Sequence, residues 1–125
     1  MYAIDFVALE KTGRSTAFMV RGRLCWQCEQ LLDELDEPVG DVRDHMKRIA
    51  DDCSHKADYL LSGTPLTEAV FRLLLAGNNR PMTIREMQDQ LSAAWANVIY
   101  MKDLSEELLT RLLESENDYM IGRVA

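Results

Sequence analysis

The sequence predicts a mainly α protein: an N-terminal antiparallel helical hairpin followed by a small α(+β) unit. Three observations lead there. Apolar residues recur at steps of three and four over most of the chain, the spacing of one helix face. Glycine and proline, 6 and 3 among 125 residues, are few and, Gly22 apart, fall outside the apolar stripes. With 47% hydrophobic and 28% charged residues, the chain has the balance of a folded globular domain rather than a disordered or collagen-like one.

Taking the elements in order, the N-terminal residues 3–9 and 16–21 are open to two readings, short strands or a helix beginning at Ser15. Ser15 is a good N-cap, and the helical start is preferred. The first stripe is Val20, Leu24, Cys28, Leu31 and Leu35. Gly22 lies inside it at a cost of about 1 kcal/mol against alanine. Pro38 and Gly40 break the pattern, and a second stripe follows: Val42, Met46, Ile49, Cys53, Ala57 and Leu60. Folded back antiparallel, the two stripes pair Leu35 with Val42, Leu31 with Met46, Cys28 with Ile49, Leu24 with Cys53, and Val20 with Ala57. One register satisfies all five layers.

Gly63 marks the expected boundary between residues 1–63, an oligomerising or packing segment, and residues 64–125. Thr64 and Pro65 then open a helix carrying Leu66, Ala69, Val70, Leu73 and Leu74, closed by Gly77. Thr83 and Glu86 have capping-box spacing, with Met82 and Met87 at the staple positions, and that helix runs towards Trp95. Residues 97–101 are β-branched and aromatic, a short strand by composition. Asp103 caps a last helix with core face Leu104, Leu108, Leu109 and Leu112, and residues 119–125 read as a closing strand.

Residues 65–125 resemble a winged helix–turn–helix domain. The resemblance is carried by Pro81-Met-Thr-Ile-Arg-Glu-Met87, which matches the opening of the second helix in many bacterial regulators, and by the order helix, turn, helix, helix, wing strand. It implies DNA binding through Arg80, Thr83, Arg85, Lys102, Arg111 and Arg123. The chain offers only one wing strand, so a two-stranded wing must borrow a partner or be absent. The helix in the recognition position carries Asp103, Glu106, Glu107, Glu114 and Glu116 against Arg111 alone, which repels phosphates.

The whole chain is acidic, 21 Asp and Glu against 14 Lys and Arg for a net charge of -7. Neither side of Gly63 is basic: 8 basic and 12 acidic residues precede it, 6 and 9 follow. The expected function is therefore a non-catalytic adaptor or regulatory protein working through protein–protein contacts and self-association as a dimer. Trp95, Tyr100 and Leu112 are the candidate partner-binding residues. A dimeric DNA-binding transcriptional regulator is the alternative, and a zinc-stabilised regulatory factor the second.

The cysteines carry the remaining chemistry. Cys25-Trp-Gln-Cys28, with Cys53 and His55, has the ligand types of a structural zinc site. Cys28 and Cys53 occupy stripe positions, however, where buried thiols serve as small hydrophobes, and this bland reading is preferred. No cofactor is expected, zinc being the one candidate. No nucleophile–base set, phosphate loop or dinucleotide fingerprint is present, so an enzyme is not expected. An odd cysteine count, no secretory signal and no membrane-length apolar stretch point to the cytoplasm and away from membranes.

Overall fold

The structure, a computed structural model, describes residues 1–13, 15–34, 41–61, 63–95, 104–115 and 117–124. It is mainly helical, as the periodicity predicts. A short strand β1 (Tyr2–Ile4) leads into α1 (Phe6–Lys11), α2 (Thr16–Arg21), α3 (Trp26–Glu34) and α4 (Val42–Asp51). After a 3₁₀ turn over Cys53–His55 come α5 (Leu66–Ala76), α6 (Ile84–Ala94), α7 (Glu106–Glu114) and β2 (Ile121–Arg123).

The caps explain several of these starts. The Ser15 hydroxyl accepts the Phe18 N–H, which makes 16–21 a helix and not a strand. Thr83 accepts the Glu86 N–H and opens α6 as its spacing predicts. Ser105 caps α7, two residues later than expected; Asp103 lies outside the described residues. Asn78 and Asn79 end α5 in the left-handed region, at φ 57° and 58°. Their short polar side chains make that conformation tolerable.

The N-terminal stripe is not one hairpin arm. α2 stops at Gly22, and the chain turns through i→i+3 bonds from Arg23 N–H to the Val20 carbonyl and from Leu24 N–H to the Arg21 carbonyl. Arg23 also donates to the Met19 carbonyl at 2.8 Å, satisfying an end group of α2. The second stripe likewise breaks after α4, where Asp52 leaves helical geometry at φ -132°, ψ -62°.

The burial that the expected register requires is met in two of the described layers. Leu24 and Cys53 are both buried, as are Cys28 and Ile49. Leu31 is 44% exposed while Met46 is buried, Ala57 is exposed opposite buried Val20, and Leu35 lies outside the described residues. α4 packs chiefly on α2 and α5 rather than along α3.

One buried cluster draws on both sides of Gly63. Leu9, Val20 and Ile49 join Phe71, Leu74, Leu75, Met87, Leu91 and Leu109, all fully buried. The small sheet joins the two ends of the described chain. β1 pairs antiparallel with β2, Tyr2 opposite Arg123 and Ile4 opposite Ile121. Tyr2 also exchanges backbone hydrogen bonds with Met82 at 2.8 and 2.9 Å. Asn79 extends this edge with its side chain: its Oδ1 accepts the Ile4 N–H and its Nδ2 donates to the Ile4 carbonyl, both at 2.9 Å.

Candidate metal centre and its surroundings

The break at Gly22 has a local result that a continuous helix would not give. It leaves Cys25 at the N-terminus of α3, where its carbonyl accepts the first helical bond from Glu29 at 3.0 Å. Cys28 then sits in the first turn. The break after α4 brings Asp52 and Cys53 to the same place. One ligand atom from each of Cys25, Cys28, Asp52 and Cys53 lies within 4.8 Å of every other.

Each partner is held. The Cys25 N–H donates to Cys53 Sγ at 3.1 Å. The Cys28 thiol lies 3.4 Å from Asp52 Oδ2 and the Cys25 thiol 3.9 Å. The other carboxylate oxygen of Asp52 faces Lys56 Nζ at 3.6 Å. Cys28 and Cys53 are buried and Cys25 is half-buried. Burial pushes the Cys53 thiol up to about 12. Burial, with the hydrogen bond to Cys25, also raises Cys28. Cys25 moves the other way: burial opposes ionisation, but the Cys28 backbone N–H and the two neighbouring thiols outweigh it. Cys25 is thus the thiol most disposed to ionise, while Cys28 and Cys53 resist it.

His55 does not belong to this set. It is exposed and lines a different cavity, with Ser54, Tyr59 and Leu60, while Asp52 takes the fourth position. A cavity of about 190 Å³ lies beside the cluster, lined by Cys25 and Cys53 with Arg23, Asp58, Tyr59 and Arg72.

A charged hub adjoins the cavity beside the cluster. Glu68 of α5 accepts from Arg23 Nε and Nη2 at 3.1 and 2.6 Å, from Arg72 Nε at 3.0 Å and from the Tyr119 hydroxyl at 2.8 Å. The Arg23 guanidinium lies 4.9 Å from the Phe71 ring centroid, a cation–π contact. Burial alone would raise Glu68, but the hydrogen bonds from Arg23 and Tyr119 and the charge of Arg23 hold it below the usual carboxylate range. The Arg23 side chain is therefore spent inside the fold.

The other sequence candidates fall apart from one another. Trp95 is a core residue, 8% exposed, with its indole N–H donating to the Leu60 carbonyl at 3.0 Å. It is not placed for a partner. Leu112 is half-buried, and Tyr100 and Lys102 lie outside the described residues. Among the candidate DNA contacts, Thr83 is occupied as a cap, Arg123 pairs with Glu114 at 2.5 Å, and Arg80 lies 4.0 Å from Glu86. Arg85 and Arg111 are exposed. The large apolar side chains that do face outward include Val7, Phe18 and Trp26, each about two-thirds exposed at 66%, 65% and 68%.

No protein-family model matches the chain, and neither curated proteins nor solved structures yield a match. Among the described residues no helix is long and apolar enough to cross a membrane.

Proposed function

We propose that the protein is a non-catalytic adaptor or regulatory protein acting through protein–protein contacts, self-association among them, with residues 64–125 as a winged-helix-like unit. The observation that carries this is the outer face of α7. Glu106, Glu107 and Glu114 are exposed there beside Arg111 alone, and Glu114 already engages Arg123. A helix that should face phosphates instead presents carboxylates, which suits a partner with basic or polar groups. Phe18 and Trp26 add outward apolar area of the kind that anchors protein interfaces.

The test is duplex-DNA binding at low and moderate salt, beside the solution mass over a concentration series. The expected outcome is no DNA binding even at low salt, and association that weakens in a Phe18→Ser/Trp26→Ser variant. Tight, salt-sensitive DNA binding lost on Arg85→Glu would favour a DNA-binding regulator and overturn the proposal. A mass that stays monomeric throughout removes self-association from it.

A further inference from the structure

We infer that Cys25, Cys28, Asp52 and Cys53 form a structural site for one zinc ion. The donor set has the softness zinc prefers, three thiolates and one carboxylate oxygen. The spacing also fits. With Zn–S near 2.3 Å and Zn–O near 2.0 Å, a tetrahedron places sulfur and oxygen ligands ~3.5 Å apart and two sulfurs ~3.8 Å apart. The two sulfur–carboxylate distances, 3.4 and 3.9 Å, straddle the first value. The outer limit of 4.8 Å for the whole cluster closes to the second with small side-chain shifts.

Packing alone does not account for the cluster. A small hydrophobe would serve at buried Cys28 and Cys53, but not at half-exposed Cys25, nor would it explain a carboxylate oxygen turned towards two sulfurs. The surroundings are those of ligands held in place. Lys56 holds the outer oxygen of Asp52, the Cys25 N–H holds Cys53 Sγ, and the N-terminus of α3 favours negative charge on Cys25. Four protein ligands close the coordination shell, so the site is structural and not catalytic.

Binding replaces three thiol protons by one Zn²⁺. The protons leave to solvent, and the site passes from a single negative charge on Asp52 to a net charge of two minus. The ion would tie the start of α3 to the end of α4, two elements with little direct packing on each other. It would thereby fix the exposed Trp26, the first residue of α3, so the inference adds a scaffold to the proposed interaction face without depending on it.

The experiment is metal analysis of the reduced full chain purified without chelator from cells grown with zinc, followed by cobalt substitution. The expected result is one zinc per chain, and on exchange the intense visible bands of a tetrahedral cobalt–thiolate site. Asp52→Asn should keep the fold and lower zinc affinity at least tenfold. Cys53→Ser should abolish the cobalt bands, and His55→Ala should leave both unchanged. Less than about a tenth of an equivalent of zinc, with no cobalt bands on titration, overturns the site. So does a Cys25–Cys28 disulfide in protein purified without reductant, together with failure of the reduced form to take up zinc. Neither result touches DNA binding or solution mass, on which the adaptor reading rests.

Discussion

Replacing Glu68 by alanine removes the acceptor for four donors at once: two from Arg23, one from Arg72 and one from Tyr119. The Glu68 side chain is 14% exposed, and the two guanidiniums left behind are 18% and 25% exposed. Fully buried pairs cost about 3–5 kcal/mol to break by removing one member. Surface pairs are worth about 0–1 kcal/mol. The hub lies between these limits but nearer the buried one, because the guanidiniums can regain only part of their hydration. A loss of about 3 kcal/mol follows, well below the sum of four charge-assisted bonds at about 1.5–3 kcal/mol each. With a urea slope of about 1.5 kcal/mol/M, the unfolding midpoint should fall by roughly 2 M. Glu68→Gln keeps the shape and one acceptor oxygen and should lose about half as much.

The pH dependence separates charge from shape. Glu68 is held below its ordinary value in the folded chain, so the unfolded chain takes up this proton first as pH falls. The hub contributes fully above the unfolded value of about 4.3 and is lost as pH drops through the lower folded value. The gap between the native protein and Glu68→Gln should therefore be widest near neutral pH and shrink below about pH 4. An alanine variant within about 0.5 kcal/mol of the native protein, or a gap unchanged down to pH 3, refutes the reasoning.

Three further changes probe other parts of the fold. Asn79→Ala loses both bonds to Ile4 and places a Cβ-bearing residue without a polar side chain at φ 58°, so it should cost about 2–3 kcal/mol by denaturant unfolding. Asn79→Gly, which keeps the backbone freedom, should cost less; equal losses would mean that backbone strain plays no part. Leu31→Ser should change stability by less than about 0.5 kcal/mol, whereas Ile49→Ala should cost about 2–4 kcal/mol; similar losses would restore the continuous hairpin. Trp95→Phe should cost about 1–3 kcal/mol, since it leaves the buried Leu60 carbonyl short of its indole donor, and calorimetry would show a neutral change as evidence against that bond.

Local signals in the sequence were the ones that carried through. The α5 span and the Thr83 start of α6 were legible because capping and breaking are decided by a few adjacent residues. The hairpin misled because equal spacing about a break is necessary for such a register but does not exclude a turn within an arm. Gly22 was the visible warning, and its cost was set against a long apolar stripe that the fold in fact splits. The zinc candidates show the same division. The three thiols were recognisable by type, and the folded chain brings them together. The fourth member of the cluster is Asp52 and not His55, because Asp52 leaves the helix, a backbone event that no spacing reports. Asn79 carried no signal because it acts on Ile4, remote in sequence, and at Glu68 only the i,i+4 spacing to Arg72 is local, while Arg23 and Tyr119 are remote.

The pairing of β1 with β2 also sets an order on how the chain can fold. Tyr2 emerges during synthesis well before its partner Arg123. Closing a loop of that length costs about 4 kcal/mol in chain entropy, and no part of the small sheet compensates until the closure is made. The helices, built from local contacts, can form and collapse beforehand, so the strand pairing is a late step. Until then the Met82 edge is the one surface on which Tyr2 can already dock. β1 would wait there, half-paired, until β2 arrives.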